Sequence, residues 1–298
     1  MDTSLELSGK VRLVTGSGGL PRIEVTTALA EAHIYLHGAH VTHFAPTGQS
    51  PVLFMSAQSA FLPGKPIRGG VPIIFPWFGP RQNDPASPAH GFARTQSWAT
   101  ESIAEHTDGS IVITLKLEPS ETSRALWPAG GDWALRHRIT VGRTLTMELE
   151  LENRGGAPLY YEDALHTYFQ ISEIRNVEVR GLERAEYLDK ADGMLRKRQN
   201  AEPIRFSGET VRIYVNTVAE CVIADPGLNR RILIGKSGCN STVVWNPWIA
   251  QSQAMADFGD EEWPAMVCVE TGNIADNTLQ VAPGDRHLSK TVISVEAF

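Results

Sequence analysis

The sequence predicts an all-β protein, a large antiparallel sandwich, on three observations. Apolar and polar residues alternate with period two in segment after segment, while the 3.6-residue period of an amphipathic helix is scarce. Gly-, Pro- or Asn-rich turns separate many of those segments. The clearest strand sets Leu145, Met147, Leu149 and Leu151 against Thr146, Glu148, Glu150 and Glu152, giving one buried face and one wet face.

Other stretches repeat the pattern. Residues 111–117, 135–141, 211–215, 232–234 and 292–295 all read as extended. Helix is confined to short pieces, around 120–126 and 247–258, the second opening on a proline that suits a first helical turn. The segment GPRQNDPASPA, residues 79–89, is a loop whose three prolines restrict its backbone and deliver His90 and Arg94 immediately afterwards. No low-complexity tract, linker or internal repeat interrupts the chain, so residues 1–298 are expected to form one domain.

With 42% hydrophobic and 20% charged residues, the chain has enough apolar side chains for a large core and shows no sign of disorder. The formal charge of −7 leaves no broad basic face for nucleic acid, so an anionic ligand has to be held by a few local arginines. The start, MDTSLELSGK, lacks a basic region followed by an apolar core, and nowhere do about 18 apolar residues run together. The expectation is a cytoplasmic protein that does not enter a membrane. Three cysteines, Cys221, Cys239 and Cys268, lie far apart with no CxxC pair, and read as reduced structural thiols.

Four stretches carry candidate chemistry. In PIRGGVPIIFPWFGP, residues 66–80, the adjacent Gly69 and Gly70 permit close backbone approach beside Arg68, and Phe75, Trp77 and Phe78 offer flat apolar surface for a sugar ring. The alternative is a glycine kink in a buried strand with an outward arginine. GSGG at 16–19 is not a phosphate loop, because the lysine and helix that should follow are absent.

In AHGFARTQSW, residues 89–98, His90 and Arg94 stand out. An arginine fork suits phosphate oxygens because two parallel charge-assisted bonds fix distance and orientation together, and Arg68 with Arg94 would make a clamp. In EDALHTYF, residues 162–169, Ala164, His166 and Tyr168 share one strand face, and a histidine there either satisfies a structural bond or acts as an acid near neutral pH. In MVCVETGN, Glu270 shares a face with Met266 and Cys268, neither of which solvates a carboxylate. Burial would raise its pKa and make it a better base, or it forms a buried ion pair.

Together with GLERAEYLDK and VVWNPW, these stretches make the chain resemble the hexose-6-phosphate mutarotase family, the glucose-6-phosphate 1-epimerases of the galactose mutarotase-like group. The resemblance runs from about residue 35 to 288, with several independent motifs in one order. It implies a twisted β-supersandwich without metal, acting on a small hexose 6-phosphate; beside it, the expectation is a monomer that needs no cofactor. It also implies catalysis by the histidine of LHTYF and the glutamate of CVET, here His166 and Glu270, and binding of the 6-phosphate by Arg68 and Arg94; the neighbouring His90 is a further substrate-binding candidate.

The chemistry suits two proton-transfer groups. Mutarotation opens a hemiacetal: a base removes the C1 hydroxyl proton, an acid protonates the ring oxygen, the aldehyde rotates, and the ring closes with the roles reversed. Each positioned group is worth roughly 10²- to 10⁴-fold, which suffices for a reaction that already proceeds in water. On this reading Glu270 is the first base and protonated His166 the first acid.

Three competing readings have sequence features behind them. His33, His37, His40 and His43 have helix-face spacing that suggests zinc, but their stretch contains Gly38 and β-branched residues and reads as strand and turn. A non-catalytic sugar-phosphate sensor on the same sandwich would keep the arginines and lose an acid or a base. A glycosidase would pair Asp163 or Glu162 with Glu270.

One position departs from the family pattern. Relatives commonly show D-R-[IV]-Y, whose acid is thought to bond a sugar hydroxyl, whereas this chain has Val211 there, followed by Arg212 and Tyr214. Either Glu209 or another acid substitutes, or the preferred sugar differs at that hydroxyl, or the protein has drifted toward sensing.

Overall fold

The computed structural model describes residues 9–81 and 84–298. The expectation about the start of the chain falls largely on residues 1–8, and part of the proline-rich loop on residues 82 and 83; both lie outside the described residues.

The architecture is all-β, and the period-two pattern accounts for it. Leu145–Asn153 buries Leu145, Met147, Leu149 and Leu151, as its alternation requires. It sits inside an eight-stranded antiparallel sheet, ordered Glu178–Arg180, Cys221–Asp225, Arg230–Ser237, Arg286–Ala297, Leu145–Asn153, Trp133–Val141, Ile111–Leu117 and Ala99–Glu105. The predicted strands at 232–234 and 292–295 extend to Arg230–Ser237 and Arg286–Ala297. Apolar runs under-report these strands because their outer faces are charged. Arg286 meets Glu150 and Glu152, and Lys290 meets Glu148, across the ladder.

On that outer face Glu152 accepts hydrogen bonds from Arg136 at 3.1 Å, Arg286 at 2.8 Å and Arg154 at 3.1 Å. Arg136 first, then Arg286, holds its carboxyl down at about 2. A carboxyl with a depressed folded pKa stabilises the fold above its unfolded pKa of about 4.3, and that contribution is lost as pH falls toward the folded value. Glu152→Gln is therefore expected to lower stability near pH 7 by about 1 kcal/mol after solvent screening. In urea melts the gap from wild type should close between about pH 4.5 and 2; a gap independent of pH would contradict the electrostatic origin.

The second large sheet carries the candidate residues. Its strands run Leu195–Arg198, Glu186–Asp189, Thr210–Tyr214, Ser241–Asn246, Met266–Asn273, Asp163–Leu165 and Ile73–Ile74, with Tyr168–Gln170 also paired to Met266–Asn273. The predicted strand over 162–169 is thus two pieces, broken where the Thr167 amide turns back onto the Leu165 carbonyl at 2.9 Å. Both pieces keep one register, with Leu165 opposite Thr271 and Tyr168 opposite Cys268. Two residues separate the pairs on each strand, so His166 falls across from Glu270.

Apolar faces of the sheets meet in one hydrophobic cluster that includes Ile34, Phe44, Phe75, Leu115, Leu149, Val244 and Met266. A four-stranded sheet of Val11–Thr15, Pro21–Thr26, Ala30–Tyr35 and His40–Pro46 contributes to it. Its histidines go separate ways. His33 and His43 pack across strands with tilted rings 4.8 Å apart, while His37 and His40 each bond a carbonyl, of Lys65 and Gly69, at 2.7 Å. Among the described residues no group of three or more His, Cys, Asp or Glu could hold a metal ion.

Among the described residues α-helix is limited to Glu121–Leu126, where Ser120 and Ser123 form a reciprocal capping box, and Trp248–Ala254. The second is shorter than expected, and Pro247 caps it instead of opening it. The chain leaves helical geometry at Met255 so that Phe258 can pack in the core, 5.8 Å from Phe54. No described helix is long and apolar enough to cross a membrane.

Candidate active site

A cavity of about 300 Å³ opens on the second sheet. Arg68, His90, His166 and Glu270 line it, together with Phe78, Lys190, Glu209, Val211 and Trp245. Four of the five residues singled out from sequence therefore meet at one place, although they lie in four separate segments.

Register brings His166 and Glu270 together. His166 Nε2 is 3.3 Å from Glu270 Oε1, and the two side chains are 9% and 1% exposed. The His166 amide donates to the Pro72 carbonyl at 3.0 Å. Its ring stacks on Tyr168, two residues along the same face, with centroids 4.8 Å apart and planes 10° apart, and meets the edge of Trp245 at 5.7 Å. The imidazole is therefore held without using both nitrogens. His166 Nδ1 and Glu270 Oε2 are buried with no hydrogen-bond partner among the described residues. Neither residue fits the purely structural alternative of a satisfied histidine or a closed ion pair.

Burial governs the charge state of the pair. It pushes the Glu270 carboxyl well above the usual carboxylate range, against the pull of Lys190 and Arg94. It pushes His166 well below the usual imidazole range, and the positive charges of Arg94 and Arg68 add to that. Both directions favour the uncharged forms, which biases the pair toward one proton between two sites 3.3 Å apart. Placing that proton on Glu270 or on His166 changes no net count: either arrangement contains one acid and one base.

The IRGG motif positions Arg68. At Gly69 φ is 108°, and an added Cβ would lie 2.6 Å from both the Met55 Cα and the Phe54 carbonyl oxygen, so only glycine allows this close crossing. The Arg68 amide donates to Ser59 Oγ at 2.8 Å. Its guanidinium bonds Tyr168 Oη at 3.0 Å and Asp257 Oδ2 at 3.1 Å, leaving Nε without a partner among the described residues.

The HGFAR motif turns sharply. Gly91 has φ 71°, and a Cβ there would collide with the Phe75 carbonyl at 1.9 Å. The expected proline-rich loop closes on itself, with the His90 amide donating to the Gly79 carbonyl at 2.8 Å and the Gly79 amide donating to His90 Nδ1 at 3.3 Å. His90 then packs edge-on against Phe78 and His166, at 4.8 and 5.8 Å.

Arg94 is not among the residues that line the cavity; it sits on the 3-10 turn Ala93–Thr95 and is buried. Its Nη2 donates to the Ala89 carbonyl at 2.8 Å, while Nε has no partner among the described residues. Burial first, then the charge of Arg68, lowers its pKa to about 10, which leaves it cationic at neutral pH.

Two sequence expectations are corrected. Phe75 and Trp77 are core residues, packed with Phe92 and Trp133, so the aromatic surface beside the pair is Phe78 and Trp245 instead. Glu162 and Asp163 are spent on structure: Glu162 accepts from the Phe78 and Ala275 amides at 2.8 Å each, and buried Asp163 accepts from Asn273 and Ser289. Neither can serve as the second carboxylate of a glycosidase. Asp257 and Lys190 went unnoticed in the sequence, since lone charged residues in loops carry no periodic signal. Val211 does line the cavity, opposite Trp245 in register, while Arg212 turns to Gln199.

The chain matches the model of the aldose 1-epimerase family over residues 21–294. A relative from Escherichia coli (strain K12), provisionally named glucose-6-phosphate 1-epimerase, is 35% identical over 92% of this chain and 90% of its own length. The crystal structure of a provisionally named mutarotase from Salmonella typhimurium superimposes with a TM-score of 0.91 at 33% identity, covering 99% of this chain and 96% of that one. A galactose mutarotase related enzyme from Lactobacillus acidophilus shares the fold with a TM-score of 0.73 at 14% identity, over 93% of this chain and 97% of its own. A fold, a family model and close relatives that agree over nearly the whole chain make it a member of the aldose 1-epimerase family.

Proposed function

We propose that this protein is a hexose-6-phosphate mutarotase, interconverting α and β anomers as a cytoplasmic monomer of one domain, with His166 and Glu270 as the proton-transfer groups. The observation that carries the reading is the 3.3 Å approach of a buried imidazole and a buried carboxyl on the wall of a cavity that also holds Arg68. A pair that holds one proton gives it to the ring oxygen as the C1–O5 bond breaks, and takes one from the C1 hydroxyl as the aldehyde forms. After the C1–C2 bond rotates, the exchange runs backward and restores the pair. Atoms and charge balance within the pair and the sugar. The 6-phosphate is held by Arg68 on the cavity wall, with Arg94, buried outside the lining, adding its positive charge and Trp245 as the apolar floor. The relatives' provisional name, glucose-6-phosphate 1-epimerase, supports the phosphorylated substrate.

Polarimetry on freshly dissolved glucose, mannose and galactose 6-phosphates, each beside its unphosphorylated sugar, tests the reading. The 6-phosphates are expected to mutarotate faster at equal concentration; equal rates for both classes would contradict it.

Val211 bears on which hexose is preferred. A hydroxyl left unpaired in a desolvated site costs roughly 1 to 3 kcal/mol, on the order of 5- to 150-fold in binding. Val211→Asp is therefore expected to raise kcat/KM several-fold for one 6-phosphate, and Glu209→Gln to lower it where Glu209 already supplies the contact. Uniform or absent effects across the sugars would show that no hydroxyl is read at this wall.

A further inference from the structure

The two arginines are placed to act on chemistry as well as on binding. Arg94 is a buried guanidinium that makes no ion pair among the described residues, its one bond going to the Ala89 carbonyl. Arg68 bonds the Tyr168 hydroxyl at 3.0 Å, and the Tyr168 ring lies nearly parallel to the His166 ring at 4.8 Å. An imidazole that has to carry a proton during ring opening thus sits one ring away from the Arg68 guanidinium, which has a carboxylate partner in Asp257, and also feels the charge of Arg94, which has none among the described residues.

We propose that an oxyanion held at Arg68, within the field of the buried Arg94 charge, raises the proton affinity of the His166–Glu270 pair, so that the substrate's own 6-phosphate sets the protonation state of the groups that open its ring. The inference rests on the phosphate-binding reading above.

The other groups around the pair leave the arginines as the main charges that an anion can offset. His90 and His40 are neutral at pH 7 because burial lowers both, His40 to about 3. Tyr168 is held up at about 12 and the Cys268 thiol well above its usual range, again first by burial. Lys190 stands at the exposed mouth and acts on Glu270. Arg94 and Arg68 are the charges that oppose a proton on His166. A like charge nearby typically displaces a pKa by about one unit or more in a desolvated site, and an opposite charge on the arginines removes that displacement. Binding linkage is reciprocal. If phosphate raises the apparent pKa of the pair by about one unit, phosphate must bind roughly tenfold more tightly below that range than above it.

The test is a ring-¹⁵N histidine NMR titration of the full chain, with and without saturating inorganic phosphate, occupancy being followed separately by ³¹P line width. The His166 titration is expected to move up by about one unit with phosphate. In Arg94→Ala it is expected to lie higher already, and to move less. Absence of phosphate binding, or binding that leaves the His166 titration where it was, overturns the proposal. A second measurement needs no variant: the alkaline limb of the pH–rate profile is expected to lie about one unit higher for glucose 6-phosphate than for glucose, and coincident limbs would overturn the coupling. Equal catalytic efficiency on the two sugars would refute the phosphate reading itself, whereas a preference for the 6-phosphate with an unresponsive His166 refutes the coupling alone.

Discussion

His166→Ala and Glu270→Gln are each expected to slow anomer exchange of glucose 6-phosphate by at least about 100-fold, because each removes one of the two sites between which the working proton moves. With one site gone, the ring oxygen or the C1 hydroxyl must trade its proton with water, which the buried wall around the pair keeps at a distance. The double variant is expected to lose little more than either single one, since an acid without a base is already disabled. Both side chains are buried, so circular dichroism and a melting curve belong with the rate measurement. Near-normal exchange by either folded variant would remove the pair from the mechanism.

Arg68→Ala and Arg94→Ala are expected to fail selectively. Hydrogen bonds to a charged group are worth roughly 1.5 to 3 kcal/mol, so loss of Arg68 should lower kcat/KM for hexose 6-phosphates by on the order of 10- to 150-fold, and loss of the Arg94 charge, which lies outside the cavity lining, by less. Exchange of unphosphorylated glucose should fall much less, because that sugar has no group for the guanidinium to hold. Arg68→Ala also frees Asp257 and the Tyr168 hydroxyl, so its effect should exceed the loss of one phosphate contact. An equal fall for glucose and glucose 6-phosphate would make both arginines structural.

Much of the fold was legible because half-buried antiparallel strands write their burial directly into period two. Leu145–Asn153 needed nothing else. Strands such as Arg286–Ala297 were only partly visible, since their length depends on ion pairs with a neighbour that is remote in sequence. The same division holds for the site. The face shared by His166 and Tyr168 follows from spacing alone, and the structure stacks those two rings. That His166 meets Glu270 follows from the pairing of Asp163–Leu165 and Tyr168–Gln170 with one long strand, a register that local sequence does not encode. The resemblance of the motifs, not their periodicity, pointed to the pair. Aromatic residues misled: in IIFPWF the core residues Phe75 and Trp77 look no different from Phe78, which lines the cavity. Arg94 reads from sequence as half of a phosphate clamp, and only the fold shows it buried and outside the cavity lining.

The most direct test of the central claim is magnetisation transfer between the α and β anomeric protons of glucose 6-phosphate at equilibrium, where nothing is consumed and only ring opening and closure can exchange the signals. The account predicts an exchange rate that rises in proportion to added wild-type protein and does not rise with Glu270→Gln. Exchange at the uncatalysed rate, in the presence of folded protein that binds the sugar phosphate, would contradict it and leave a binding protein with an idle acid–base pair.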